Sequence, residues 1–168
     1  IKPFELINQH DKKFNNDLFK DQWTMIFLGY THCPDVCPTT LAKLSGSYNK
    51  LKATGIDNLQ VLFVSVDPQR DDAARLKEYT EYFHQDFIGA SGSHANLYPF
   101  VRDLGLMYSM SEDTSQAEYA VNHSGGIALV NPDGQLHAMF RPKTELGGIP
   151  DIDMVSLEAD FQQLSARF

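Results

Sequence analysis

Residues 23–44 read WTMIFLGYTHCPDVCPTTLAKL: an apolar run, then a loop with two cysteines, then a helical pattern. From Trp23 to Tyr30 the residues are almost continuously apolar, which suits a strand covered on both faces. Pro38 fits the first turn of a helix expected to reach about residue 53, because its missing N–H would have no partner there. Leu41, Leu44, Tyr48 and Leu51 recur at helical spacing along it.

Working outward, residues 60–66 (QVLFVSV) predict a second buried strand ending at Asp67-Pro68. Asp71 or Asp72 is expected to cap the next helix, with Ala73, Leu76, Tyr79 and Phe83 on its apolar stripe and Tyr82 on the flank. Residues 87–90 form a short strand, Ser93 caps a helix to about residue 103, and residues 106–110 suggest another strand. Residues 126–130 and 135–140 flank Asn131-Pro132-Asp133-Gly134, which is hairpin turn chemistry. Asp151 is the expected cap of a last helix whose stripe is Met154, Val155, Leu157, Phe161 and Leu164. On the other side, residues 4–8 are loosely strand-like and residues 10–13 supply a turn, predicting an N-terminal hairpin. Asn16 or Asp17 is the expected cap of a short helical turn. Strands interleaved with helices predict an α/β, thioredoxin-like fold with an N-terminal hairpin and a central mixed sheet flanked by helices. Alternation alone leaves other α/β folds open, and the cysteine loop has to narrow them.

No repeat, low-complexity tract or linker divides the chain, so residues 1–168 read as a single domain. That length supports one core, with roughly 70% of the unfolded chain's surface buried on folding. The formal net charge is −8, from 22 acidic and 14 basic residues. This balance argues against nucleic acid as a partner, which needs a clustered basic face. No apolar stretch approaches the ~20 residues of a membrane helix. The sequence opens on Ile1 rather than Met, so a leader, an anchor or a trimmed segment is expected before it.

Two cysteines, four positions apart, are too few for a disulfide framework and read as one working pair. Residues four apart on a helical turn lie about 5–6 Å apart at Cβ, so two sulfurs can hold one ion or approach each other to bond. Cys37 falls at a helix N-terminus, where the dipole favours a thiolate. Pro34 and Pro38 restrict the loop and reduce the entropy lost on fixing it. A pair of merely buried cysteines and a purely redox pair are the competing readings. The usual thioredoxin pair encloses two residues, whereas this one encloses three. A peroxiredoxin site has Thr three residues before its reactive Cys, where this chain has Tyr30 and Pro34.

Of six histidines, His10, His84, His94 and His137 sit in turns, at helix ends or in a hairpin strand, where solvated or capping roles are expected. His32 adjoins Cys33, but neighbours in an extended segment point opposite ways, which makes it a supporting group at most. His123 follows the polar loop 111–120 and precedes Ser124-Gly125-Gly126. In a thioredoxin-like topology that junction faces the start of the first long helix. Met107 and Met110 match a weak thioether pair, with apolar filling as the plainer reading.

The segment Tyr30 to Leu41 (YTHCPDVCPTTL) resembles the signature of the Sco/SenC family of copper chaperones. So do residues 64–71 (VSVDPQRD) and residues 121–124 (VNHS), the latter preceding residues 130–134 (VNPDG), all in the family's order. The resemblance implies a thioredoxin fold and a copper site, Cu(I) or Cu(II), formed by Cys33, Cys37 and His123. It also implies assembly of the dinuclear copper centre of cytochrome c oxidase, with that enzyme's copper-binding subunit as partner and other copper carriers beside it. The implied location is the bacterial periplasm at the inner membrane, or the mitochondrial inner membrane facing the intermembrane space, with a membrane tether in a segment absent from this chain. The family usually has Asp before the histidine, and Asn122 cannot supply that charge.

Two thiolates and an imidazole suit copper in both oxidation states. Three protein ligands leave a position open for an incoming ligand. A disulfide would remove both sulfurs, so occupancy should depend on redox state. Asp35 is a candidate for bonding a loop amide or facing a basic partner, and Asp67 for the site rim or docking; ordinary turn roles compete for both. The expectation is a carrier rather than an enzyme. A thiol–disulfide oxidoreductase acting on oxidase cysteines, or a redox or copper sensor, would use the same atoms.

Overall fold

A computed structural model describes residues 1–111, 114–115, 118–143 and 150–168. The elements run β1 (Leu6–Asn8), β2 (Lys13–Phe14), a 3-10 turn (Asn16–Phe19), β3 (Trp23–Gly29), α1 (Val36–Ala53), β4 (Leu59–Ser65), α2 (Ala73–Phe83), β5 (Ile88–Ser91), α3 (His94–Asp103), β6 (Tyr108–Met110), β7 (Val121–His123), β8 (Ile127–Val130), β9 (Leu136–Phe140) and α4 (Met154–Ala166). The main sheet has the order β2-β1-β5-β4-β3-β8-β9, and β6 and β7 form a separate ribbon. β3 pairs parallel with β4 and antiparallel with β8, while β4 pairs parallel with β5. The fold is thioredoxin-like, with a central mixed sheet and the expected N-terminal hairpin of β1 and β2.

Burial of β3 on both faces explains its unbroken apolar run. Trp23, Met25 and Phe27 join a core with Cys37, Leu41, Leu44, Tyr48 and Leu51 of α1 and with Leu157 and Phe161 of α4. Ile26, Leu28 and Tyr30 face a second core with Leu97, Phe100 and Val101 of α3 and with Tyr108, Tyr119 and Val121. Each such side chain contributes roughly 1.5–3 kcal/mol by leaving water. Thr24, the polar exception, is fully buried and accepts a hydrogen bond from Gln60 Nε2 at 2.8 Å.

Several boundaries differ from expectation for identifiable reasons. Asn15, not Asn16 or Asp17, caps the 3-10 turn: it is extended and its side chain accepts from Asp17 N–H. Asn16 instead ties down the N-terminus, accepting from Phe4 N–H and donating to the carbonyls of Ile1 and Lys2. Helix α1 begins at Val36, so its first turn includes Cys37 as well as Pro38. Asp72 caps α2 through Arg75 N–H. Asp153 rather than Asp151 caps α4, because Asp151 is engaged by Lys43 and bridges to Lys143. Val155 is 74% exposed and leaves the expected stripe, its place in the core taken by Ile152. Tyr82 is exposed, as its flanking position suggested. Of the polar loop 111–120, residues 112, 113, 116 and 117 lie outside the described residues.

The carboxyl end of β3 is built around a missing side chain. A Cβ on Gly29 would lie 2.6 Å from Phe63 Cε2 and 2.8 Å from Cys37 Sγ. Neither neighbour is a free chain end, so Gly29→Ala should destabilise the protein by about 1–3 kcal/mol through overpacking. Urea unfolding with an unchanged m-value would register that loss.

Candidate metal centre

The strand-to-helix junction places both sulfurs. After Gly29 the chain turns, with Cys33 N–H donating to the Tyr30 carbonyl at 3.1 Å, and α1 opens from Asp35. Cys33 is half-buried against both cores, and Cys37 is fully buried. Both cysteines are free thiols. His123 ends β7, which pairs with β6 so that His123 lies opposite Tyr108. Phe27 and Tyr30 meet its imidazole edge to face, with centroids 6.2 and 6.0 Å away.

These elements bring Cys33 Sγ, Cys37 Sγ and a His123 ring nitrogen within 4.8 Å of one another, the only such metal-competent group among the described residues. His123 Nε2 lies 3.4 Å from Cys37 Sγ. Its Nδ1 lies 3.1 Å from the Ser124 carbonyl, which only accepts, so Nδ1 carries the ring proton and Nε2 turns a lone pair towards the sulfurs.

The thiols differ sharply. Cys33 is held down to about 4, first by the hydrogen bond from the Cys37 thiol and then by the backbone amides of Asp35 and Cys37, with burial opposing. Cys37 is pushed up strongly: it donates to Cys33, it is buried, and a thiolate already stands beside it. One negative charge is therefore comfortable in this pocket and a second is not, unless a cation arrives to share both.

Two buried aspartates stabilise the surroundings. Asp71 is fully inaccessible and accepts from Thr31 N–H (2.8 Å), Thr31 Oγ1 (2.7 Å) and Ser65 Oγ (2.6 Å), fixing the entry to the cysteine loop. Asp67 is also fully inaccessible. It accepts from Arg70 Nε and from the Tyr119 hydroxyl, both at 2.5 Å. The Arg70 guanidinium lies 3.5 Å over the Tyr119 ring and donates to the Tyr119 carbonyl, so this clasp holds the chain two residues before β7. Docking by Asp67 is thus ruled out, since a carboxylate with no exposed surface cannot meet a partner. Asp35 is exposed at the start of α1 and makes no side-chain cap bond, while Asn122 is exposed opposite Ser109. Met107 is 73% exposed and so fills no core, while Met110 packs at the core edge. The expectation of a docking Asp67 missed Arg70 and Tyr119; Asp67 and Arg70, three positions apart across Pro68, were the available signal.

A thioredoxin-like domain with two sulfurs and an imidazole converging at the end of its central strand is, by class, a soft-metal or redox protein. The SCO1/SenC family model matches residues 1–150, and the chain belongs to that family. A Stutzerimonas stutzeri protein named as a candidate copper binder is 37% identical over 149 residues, covering 89% of this chain and 72% of that protein. The mitochondrial SCO1 homolog 1 of Arabidopsis thaliana is 36% identical over 150 residues, 89% of this chain, but the match spans only 44% of that longer protein. The crystal structure of Arabidopsis thaliana ScoI with copper bound superposes with a TM-score of 0.86 at 28% identity, covering 99% of this chain and 98% of that one.

Two outcomes follow. Iodoacetamide should label Cys33 and spare Cys37 in the native reduced protein, at a rate that stays flat as pH falls from neutrality and declines only as the thiolate is protonated near pH 4. Mass spectrometry of quenched samples reads both site and rate. Arg70→Ala leaves the Asp67 carboxylate buried without its cation, which should cost about 3 kcal/mol in denaturant unfolding.

Proposed function

We propose that the protein is a copper metallochaperone that binds one copper ion through Cys33 Sγ, Cys37 Sγ and His123 Nε2 and delivers it to the dinuclear copper site of cytochrome c oxidase. The observation that carries this reading is the convergence of those three donors within 4.8 Å on a scaffold of this family. Copper as cargo fits the donor chemistry: thiolate sulfur favours Cu(I), and imidazole helps to hold Cu(II). A cation removes the repulsion that keeps Cys37 protonated, so uptake should release its proton. Three ligands leave room for an acceptor's thiolate or imidazole to attach before the donor lets go. The acceptor in this reading is the oxidase's copper-binding subunit. The whole chain works as one domain at the periplasmic face of the bacterial inner membrane, or at the mitochondrial inner membrane, held there by a tether outside the present sequence. No helix of the described residues is long and apolar enough to cross a membrane.

The depressed Cys33 and protonated Cys37 also favour a second reading, a thiol–disulfide oxidoreductase acting on the oxidase's cysteines, since an attacking thiolate beside a proton-bearing thiol suits exchange. A redox or copper sensor would draw on the same pair. The readings part at His123. In the carrier, His123→Ala should weaken Cu(II) retention by more than about a hundredfold, beyond the 10–100-fold typical of losing an outer hydrogen bond. It should also alter the sulfur-to-Cu(II) absorption, while disulfide reduction by metal-free protein persists. Copper titration of the wild type beside Cys33→Ala, Cys37→Ala and His123→Ala decides it; unchanged retention in the histidine variant rejects this ligand set.

A further inference from the structure

The turn leading into the cysteines carries a second imidazole, and its hydrogen bonds determine which ring nitrogen is free. The Cys33-to-Tyr30 backbone bond closes this turn and leaves His32 with 44% of its side chain exposed. Thr31 Oγ1 spends its one proton on Asp71 Oδ1, 2.7 Å away. Towards His32 Nδ1, 3.3 Å away, the same hydroxyl can then only accept, so Nδ1 must carry the ring proton. The Asp71 carboxylate, 3.7 Å from Nδ1, favours the same tautomer, and Arg75 Nε–H donates to Thr31 Oγ1 from the other side at 3.1 Å. The lone pair is then on Nε2, which takes no hydrogen bond among the described residues, on a side chain 44% exposed. This is how metal-binding imidazoles are usually prepared, with one N–H held by a carboxylate or its relay and the other nitrogen presented to the ion.

His32 stands outside the three-donor cluster yet next to Cys33, the more accessible of the two sulfurs. We propose that His32 Nε2 is a transit ligand, holding copper together with Cys33 as the ion enters or leaves the Cys33–Cys37–His123 site. The proposal rests on the copper-carrier reading and deepens it. In the outward step the bonds from copper to His123 Nε2 and Cys37 Sγ break as a bond from copper to His32 Nε2 forms; Cys33 Sγ stays bound, and Cys37 Sγ takes back from solvent the proton it gave up on uptake. Both imidazoles keep their Nδ1 protons, and the oxidation state of the ion does not change. An incoming acceptor then meets copper at the rim instead of against the buried Cys37.

The test uses the Cu(I)-loaded full chain mixed with excess bicinchoninate, following copper release by absorbance. His32→Ala should slow release about tenfold, and dissolved imidazole should restore the rate. Copper per chain should hold, and equilibrium retention in competition titrations should move by less than about threefold. Equal release rates in wild type and variant would overturn the proposal. So would an equilibrium loss as large as the rate change, which would make His32 a resident ligand. Failure of the underlying reading appears separately, as copper retained unchanged by His123→Ala, a comparison that involves no His32 variant.

Discussion

One proton shared between two sulfurs is the constraint around which this end of the molecule is organised. Cys33 is content as an anion because Cys37 gives it a hydrogen bond, and Cys37 cannot follow because the charge is already there. The low-dielectric setting makes that asymmetry steep, and only a positive ion can relieve it. A soft monovalent or divalent metal in place of the proton satisfies both sulfurs at once. Gly29 belongs to the same constraint, because the space above its Cα is where Cys37 Sγ and the Phe63 ring meet.

The loop after β4 supplies the support. Within five residues it places two fully buried carboxylates that serve different parts of the site. Asp71 holds the sulfur side through Thr31, and Asp67 holds the imidazole side through Arg70 and Tyr119. Neither touches Cys33, Cys37 or His123 by a hydrogen bond, and both are satisfied by several donors, which is what allows a charged group to remain inside a core. A stretch that looks like a strand end followed by a turn thus coordinates two otherwise unrelated segments.

Much of this was legible in the sequence. The apolar run from Trp23, the cysteine spacing and the helical stripe of α1 fixed the element that presents the sulfurs, because burial on both sheet faces leaves a strong pattern. Motif order pointed to His123. Strand β7 was not legible, since three residues with one buried side chain carry too little periodicity to be distinguished from loop. The roles of Asp67 and Asp71 were also hidden: an aspartate before proline or before a helix has an adequate local explanation, and only tertiary contacts show that each also has a partner 40 or more residues away, Tyr119 for Asp67 and Thr31 for Asp71. The cap of α4 was misplaced for the same reason, because Lys43 draws Asp151 into a distant pairing.

The two kinds of donor stand on different foundations. The sulfurs are rooted where the main sheet meets its longest helix, whereas the imidazole is carried by a ribbon of two three-residue strands outside that sheet. Local opening follows the number of interactions a segment would have to surrender, so the ribbon can come undone while the sheet persists. Warming or mild denaturant would then yield a globule with its dithiol intact and its nitrogen donor gone, unable to grip an ion yet still able to swap electrons with another thiol pair. Metal handling and sulfur chemistry would fail at separate temperatures, with the first to go set by the smaller piece.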